Sequence, residues 1–307
     1  MHQKKSNHSH SHDETKINSK NLLWVTLLNL LITAAEVAGG LISNSLSLLS
    51  DALHNLSDAF ATFIAWIAAR LSAKNSTPKA TFGLKRVEIL SALLNAVILI
   101  VLTLYLFREA WFRLQDPEPV NSLVMLIVAA VGLLANLYAV LILKKDSDKS
   151  LNVKAAYIHL IGDTLSSVVV IIGGILMYYF SIFWIDPVIT FLIGVYIIKE
   201  TYEILRQTVA ILMQQTPECL NLHDIKEEIE KIEEINNIHH IHAWNLTDQL
   251  IHFEAHIDIN DDLLLSQVEK VRFRVEKILK DTFKIDHITL QFEFKTSDRK
   301  SMIHNEE

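Results

Sequence analysis

Long apolar stretches fill residues 22–205, whereas the chain after about residue 208 mixes apolar and charged positions as soluble domains do. A transmembrane helix needs about 20 mostly apolar residues to cross a hydrocarbon core about 30 Å thick. The pattern therefore predicts an α-helical membrane protein followed by a soluble part. The six predicted spans are Leu22–Ile42, Leu46–Leu71, Val87–Phe107, Val120–Leu143, Ala155–Phe180 and Ile185–Ile204.

Lysine and arginine are concentrated in the N-terminal tail and in the loops after the second and fourth spans. The loops on the opposite side carry few cations or balance them with acidic residues. Basic loops stay in the cytosol, so this asymmetry predicts both termini on the cytosolic side of an inner (plasma) membrane. The first 20 residues are too polar for a cleaved signal peptide, and we expect the first span to remain as a helix.

The pattern after the last span predicts a small α+β domain. LHDIKEEIEKIEEI has apolar residues at helical spacing, and LIHFEAHIDI alternates apolar and polar residues as a strand does. The predicted order is α-β-β-α-β, which is a ferredoxin-like arrangement. The predicted organisation is a disordered, histidine-containing cytosolic tail at 1–20, a six-helix membrane domain at 21–207, a cytosolic domain at 208–295 and a disordered tail at 296–307.

Composition narrows the possible chemistry. The net charge is -7, with much of the acidic excess in the C-terminal part, which argues against nucleic acid as a partner. The chain has one cysteine, Cys219, so it forms no intrachain disulfide and no thiolate metal cluster. Any metal ion must therefore be held by imidazole and carboxylate groups.

Two membrane-depth motifs carry ionisable side chains that are costly to bury and usually functional. His54 and Asp58 stand four residues apart in the second predicted span, and His159 and Asp163 do so in the fifth. Residues i and i+4 share a helix face, so each motif presents one imidazole and one carboxylate in one direction. Two facing motifs would supply four ligands suited to tetrahedral Zn²⁺. The alternative is a pair of buried, hydrogen-bonded helix contacts.

Further polar residues lie in the predicted spans. Asp51 has three possible roles, as a proton relay, as a hydrogen-bond acceptor behind the ligands, or as the end of its span. We expect Glu36, Asn95 and Asn136 to be interhelical hydrogen-bond partners rather than ligands.

Several segments resemble the cation diffusion facilitator family along nearly the whole chain. They are SNSLSLLSDALHNLSD, FGLKRVEILSALLNA, HLIGDTLSSVVVIIGG, IDP, HHIHAW and HITLQFE. The resemblance implies a homodimeric secondary transporter, not an enzyme, that exports metal ions in exchange for protons. It implies no catalytic residue and no cofactor, with His54, Asp58, His159 and Asp163 as the transport site. Two His-Asp pairs resemble the family's zinc transporters, which often also handle cadmium and cobalt.

The resemblance also implies a C-terminal domain that dimerises and senses cytosolic metal. The candidate ligands of a regulatory ion are His239, His256, His287 and Glu293. The loop after the second span has Lys85 where many relatives carry histidine, so no metal site is expected there. A solvated tail and a weak metal-binding tail are both compatible with the N-terminal histidines, His2, His8, His10 and His12.

Two other functions fit parts of the pattern. A membrane metalloenzyme could use buried histidine and aspartate to activate zinc-bound water, but it would need an open coordination position and a general base. A membrane-bound metal sensor would bind metal and signal through the C-terminal domain without transport. Hydrolytic activity would favour the metalloenzyme, and metal binding without ion flux would favour the sensor.

Overall fold

The computed structural model describes residues 19–72, 74–144, 151–295 and 301–302. Long helices make up its N-terminal part: α1 Ser19–Ser43, α2 Leu46–Ser72, α3 Val87–Gln115, α4 Ser122–Lys144, α5 Leu151–Phe180 and α6 Ile185–Leu212. The C-terminal elements are α7 Leu222–Ile229, β1 Ile235–Asn245, β2 Ile251–Ile259, α8 Leu265–Asp281 and β3 His287–Glu293. The described residues form two compact units. One comprises the chain up to Phe60 together with Ile98–Thr201, and the other comprises Ala61–Val97 together with the chain from Tyr202 onward.

Among the described residues, three segments are long and apolar enough by themselves to cross a membrane: Val87–Gln115, Ser122–Ile142 and Tyr157–Phe180. A shorter apolar segment, Asn29–Ser43, lies in α1. The polar motif of α2 lowers its hydropathy. The chain thus has a helical transmembrane part, as the hydrophobic pattern predicts.

Helix α6 continues through the boundary predicted at residue 207 and ends at Leu212. No glycine or proline interrupts it between Gly194 and that end. Gln214 then adopts a positive φ of 53°, and Pro217 follows. A residue in the left-handed conformation with a proline shortly after it commonly ends a helix. The backbone therefore ends α6 several residues beyond the end of its apolar stretch.

Close helix contacts hold the first unit together. A side chain at Gly39 would bring its Cβ within 2.7 Å of a methyl of Val128, so α1 and α4 approach closely at this glycine. Helices α2 to α6 share a buried cluster that includes Leu48, Met125 and Val170. Many large apolar side chains on the same helices are exposed, as lipid-facing residues of a membrane protein would be.

The start of α2 is fixed by Asp186 in the first turn of α6. This fully buried carboxylate accepts hydrogen bonds from the Ser45 hydroxyl at 2.7 Å and from the Leu46 amide at 2.7 Å. It also accepts bonds from the Ser47 hydroxyl and amide, at 2.6 Å and 3.2 Å. The carboxylate satisfies N–H groups that have no partner within α2 and complements the positive end of its dipole. Helices α2 and α6 are therefore joined at the start of α2, about two turns before His54.

The C-terminal elements occur in the predicted order and form a sheet with strand order β1-β2-β3. Strands β1 and β2 are antiparallel, and β2 and β3 are parallel with α8 between them. Apolar residues of α7 and α8, among them Ile225, Ile229, Val275 and Leu279, are fully buried in the core of this domain. The alternation of β2 places Phe253 and Ile257 in the same core.

The chain returns to β1 at residues 301–302. The amide of His240 donates to the Ser301 carbonyl at 3.2 Å, and that of Ile241 donates to the Met302 carbonyl at 2.9 Å. Strand β1 is an edge strand, and these bonds satisfy some of its backbone groups. The disorder predicted for 296–307 stays a prediction, since 296–300 and 303–307 lie outside the described residues.

Candidate metal centre

Helices α2 and α5 bring the two His-x-x-x-Asp motifs together. His54 Nε2 lies 3.7 Å from an oxygen of Asp58 and 3.7 Å from one of Asp163. His159 Nε2 lies 3.0 Å from Asp58 and 3.6 Å from Asp163. Each imidazole thus faces the carboxylate of its own helix and that of the other helix. One histidine and one aspartate from each helix thus form one cluster, in which His54, His159 and Asp163 offer ligand atoms within 4.8 Å of one another.

The donor set indicates which kind of ion the cluster would suit. Ligand atoms about 2.0–2.2 Å from Zn²⁺ lie about 3.3–3.6 Å from one another in a tetrahedron. The four imidazole-to-carboxylate separations, 3.0 to 3.7 Å, are near that length, although they involve both oxygens of Asp163. The group whose ligand atoms all lie within 4.8 Å of one another does not include Asp58. Calcium would require six to eight oxygen ligands at about 2.3–2.6 Å. Two imidazoles and two carboxylates therefore favour zinc or a similar transition metal, whose charge would offset both carboxylates.

The four side chains differ in burial. The side chains of His54 and Asp163 are 8% and 2% exposed, whereas those of Asp58 and His159 are 34% and 41% exposed. Within the described part of the chain, His54 Nδ1 and Asp163 Oδ2 are buried without a hydrogen-bond partner. Buried polar atoms rarely remain unpaired, and a carboxylate whose two oxygens each face an imidazole is well placed to bind a cation. The site is closed on the His54–Asp163 side and open on the other.

Asp51 lies behind the ligands and accepts hydrogen bonds from α5. The hydroxyl of Ser166 donates to one of its oxygens and that of Ser167 to the other, at 3.3 Å for Ser167. The Ser166 hydroxyl also lies 2.9 Å from the backbone carbonyl of Asp163. Of the three roles considered for Asp51, the structure shows the hydrogen-bond acceptor. These contacts tie α2 to α5 beside the ligands and are well placed to orient the motif.

Glu36 joins α1 to α2. The amide of Asn55 donates to its carboxylate at 2.9 Å, which confirms the predicted interhelical hydrogen bond of this glutamate. A Cβ at Gly132 of α4 would lie 2.5 Å from the other Glu36 oxygen, so glycine leaves the space that this carboxylate needs. Asn136 is buried, but neither atom of its amide has a partner among the described residues. The hydrogen-bonding role predicted for Asn136 therefore stays a prediction.

Helix α6 contributes two residues that the sequence did not indicate. The hydroxyl of Tyr196 donates to Glu200 at 2.6 Å, and its ring lies 6.3 Å from that of His54. Glu200 is close enough to His159 to interact electrostatically with it. The glutamate in an apolar span was the available signal, since acidic side chains are rare at membrane depth.

The C-terminal domain contains a second group of possible ligands. Glu293 lies 2.7 Å from His256 Nδ1 and 3.5 Å from His239 Nε2. The His240 ring stacks on that of His256 with centroids 4.6 Å apart. An irregular register between His239 and His242, with a positive φ of 50° at His240, makes this possible, because regular alternation would send neighbouring residues to opposite faces.

The structure does not bring the fourth predicted regulatory ligand into this group. His287 pairs with His252 across the parallel ladder, and their rings lie 4.6 Å apart. His287 and Glu293 stand at opposite ends of β3, and six strand positions span about 20 Å. His239, His256 and Glu293 remain candidates, and His287 does not join them. The N-terminal histidines, His2, His8, His10 and His12, lie outside the described residues.

These observations define a class of protein: a helical membrane protein with a cluster of histidine and aspartate side chains between its helices. Comparison with known families is more specific. The family model described as "Cation efflux transmembrane domain" matches residues 22–213, and the one described as "Cation efflux protein, cytoplasmic domain" matches residues 217–295. The chain belongs to the cation efflux family, the cation diffusion facilitators. Members of this family are transporters, which argues against the metalloenzyme alternative.

Several bacterial relatives align over most of their length. A Bacillus velezensis protein named "Cadmium, cobalt and zinc/H(+)-K(+) antiporter" is 35% identical, covering 92% of this chain and 91% of the relative. The "Metal cation efflux system protein CzcD" of Cupriavidus metallidurans is 34% identical, with 92% and 89% covered. The "Zinc transporter ZitB" of Pectobacterium atrosepticum is 36% identical, with 95% and 90% covered.

Proposed function

We propose that this chain exports zinc, and also cadmium and cobalt, from the cytosol in exchange for protons. The observation that carries the proposal is the cluster of His54, Asp58, His159 and Asp163, in which each imidazole faces the carboxylates of both helices. The names of the relatives support it, since they include zinc, cadmium and cobalt as transported ions and H⁺ as a counter-ion. The donor set of two nitrogens and two oxygens fits the same ions.

The proposed topology has six spans, α1 to α6, with both termini in the cytosol of a bacterial inner (plasma) membrane. The basic loops after α2 and α4 support this orientation. In it, α2 runs toward the cytosol and α5 runs away from it. Asp58 and His159 are then about 6 Å nearer the cytosol than His54 and Asp163, since four helical residues span that distance. The more exposed pair faces the cytosol, so this conformation is inward-facing.

Transport then follows from competition between metal ions and protons for the same groups. Zinc requires neutral imidazole and ionised carboxylate, so binding releases protons and protonation releases zinc. In the inward-facing state, cytosolic zinc enters past Asp58 and His159. A shift of α5 against α2 closes this side and opens the His54–Asp163 side, where entering protons displace the ion. A proton gradient near neutral pH can drive this exchange because histidine titrates in that range.

We also propose a homodimer whose cytosolic domain, about residues 208–295, makes the main contact and binds a regulatory zinc ion. The match of residues 217–295 to the family's cytoplasmic domain supports the assembly. The group of His239, His256 and Glu293, whose ligand atoms lie within 4.8 Å of one another, supports the regulatory ion. His287 is omitted from this ligand set.

The decisive test is zinc flux in proteoliposomes with an imposed pH gradient. Asp163→Asn keeps the size of the side chain and removes its charge, and loss of one of four ligands should lower flux more than about tenfold. Asp116→Asn, in the exposed turn after α3, is the matched control and should transport normally. Equal flux in Asp163→Asn and wild type would remove this site from the mechanism. Zinc binding without flux in wild type would favour the sensor alternative.

A further inference from the structure

A pocket of about 500 Å³ lies between the segment that precedes α3, the residues after α6, and β1. Its walls come from residues 79–87, Leu90, Gln214, Trp244 and Leu246. Backbone hydrogen bonds between Thr77 and Ala80, and from Gly83 to Ala80, fold the segment into tight turns. Gly83 has a φ of 72°, a conformation that other residues rarely adopt. The pocket is therefore built from an ordered loop.

The lining of this pocket is cationic. Lys79, Lys85 and Arg86 contribute to it, and no aspartate or glutamate does. Among the described residues, none of these three cations forms an ion pair, and Arg86 Nε is buried without a hydrogen-bond partner. A guanidinium has four further N–H groups besides Nε–H, and Arg86 lines the pocket, so an anion there can accept hydrogen bonds from them. Glu88 in the first turn of α3 offsets the positive end of the helix dipole, so the charge of the pocket comes from the three cationic side chains.

Aromatic packing fixes the loop against the sheet. The edge of Phe82 meets the ring of His252 at 5.2 Å, and His252 stacks on Trp244 at 5.4 Å. Burial lowers the pKa of His252, and the nearby His287 and Lys85 lower it further, so the imidazole is neutral at pH 7. The positive charge of the pocket therefore comes from the lysines and the arginine.

The pocket lies where the chain enters the membrane. Helix α3 begins directly after Arg86, and it is apolar and long enough to cross a bilayer. Its outward-facing side chains Leu90, Leu94 and Val97 are exposed, and Leu90 also lines the pocket. A ligand with one phosphate among these cations could extend acyl chains along this apolar face. Basic pockets at the cytoplasmic ends of spanning helices bind anionic lipid head groups.

We propose that Lys79, Lys85 and Arg86 bind the phosphate of an anionic phospholipid head group, whose acyl chains pack along Leu90 and Leu94 of α3. The site is separate from the metal-binding groups and does not depend on the transported ion. An anionic lipid held here contacts the segment before α3 and the sheet of the cytosolic domain together, both in the second compact unit.

Lipid retention by the purified, full-length protein tests this proposal. The protein is equilibrated with phosphatidylglycerol and phosphatidylcholine, and native mass spectrometry measures the bound lipid. Wild type should prefer phosphatidylglycerol. Lys85→Gln and Arg86→Gln should each weaken its binding about fivefold, because one cation near a membrane surface contributes that factor. Lys74→Gln removes an exposed lysine of the same loop that does not line the pocket, and it should bind as wild type does.

A second pair of variants separates loss of the binding site from misfolding. Thr81→Glu adds a negative charge to the lining without removing a cation, and it should weaken phosphatidylglycerol binding, whereas Thr81→Gln should not. Competition with millimolar inorganic phosphate distinguishes a lipid head group from free phosphate. Phosphate should leave lipid retention unchanged. If phosphate displaces the lipid, the pocket binds free phosphate and the lipid proposal is wrong. Retention that is equal in wild type, Arg86→Gln and Thr81→Glu would overturn the site itself.

Discussion

At the scale of single residues, neighbouring side chains with the same chemistry have different surroundings. In the metal centre, His54 and Asp163 are nearly inaccessible, while His159 and Asp58 are partly exposed. In the cytosolic domain, His256 meets a carboxylate, while His252 lies between two aromatic rings. Residue type alone therefore does not assign a role to any of these groups.

Glu200 should assist zinc capture without being a ligand. It lies near the exposed side of the metal centre, and its charge attracts a cation approaching from that side. Glu200→Gln should raise the zinc concentration for half-maximal flux about two- to fivefold and leave maximal flux nearly unchanged, with a smaller difference in high salt. Glu203→Gln, whose carboxylate is already paired with Arg206, is the control and should have little effect. A large loss of maximal flux in Glu200→Gln would indicate a ligand instead.

His252 should make stability depend on pH. Its pKa is lowered by burial, so between that value and the ordinary value of about 6.5 the unfolded chain binds more protons. This contribution is complete above pH 6.5 and is lost as pH falls. Lowering the pH from 7.5 to 5.5 should therefore reduce the thermal midpoint more in wild type than in His252→Phe, which keeps the aromatic packing. His223→Gln, an exposed histidine, is the control, and an equal drop in His252→Phe would contradict this.

At the scale of elements, the metal centre depends on how α2 is held at its start and beside its motif. Asp186 of α6 fixes the first turn of α2, and Asp51 binds α5 beside the ligands. Glu36 adds a contact between α1 and α2. Each contact is a buried carboxylate that accepts hydrogen bonds from a neighbouring helix, and such bonds hold helices in register within a membrane.

Asp186→Asn should destabilise the membrane part. The charged acceptor of several hydrogen bonds at the start of α2 is lost, and bonds to charged groups contribute about 1.5–3 kcal/mol. We expect a loss of about 2–3 kcal/mol in the free energy of unfolding, seen as a thermal midpoint lower by roughly 5 °C or more. Scanning fluorimetry in detergent measures it, with Asp116→Asn as control. An unchanged midpoint would show that the buried carboxylate contributes little to stability.

At the scale of the whole molecule, metal-binding groups occur in both compact units. Ligand sets of three or more close groups among the described residues include His54, His159 and Asp163 in one unit and His239, His256 and Glu293 in the other. Under the proposed function, a transported ion would pass through the first group, whereas a regulatory ion in the second would remain bound. The two should therefore be separable by mutation.

Zinc titration of the purified chain should show one ion at each site. Wild type should bind about two ions per chain tightly, and Asp163→Asn and Glu293→Gln should each lose one of them. Weak binding by the N-terminal histidines would be the same in every variant. Glu254→Gln, on β2 but outside the ligand set, is the control and should retain both ions. Two tight ions in Glu293→Gln would remove the regulatory site.

The sequence by itself determined the class and most elements of this protein. Apolar runs report membrane helices because the bilayer core demands about 20 apolar residues. The spacing of His54 and Asp58, and of His159 and Asp163, places each pair on one helix face because a helix repeats every 3.6 residues. These are local rules, so they needed no knowledge of which helices are neighbours.

The tertiary structure determined which residues distant in the sequence come into contact. Tyr196 and Glu200 come to the metal centre because α6 packs beside it, and no local pattern encodes that neighbour. The irregular register of β1 groups His240 with His256, while strand length separates His287 from Glu293. Contacts between distant parts of the chain depend on how helices and strands pack together. The sequence shows only the local periodicity of each helix or strand.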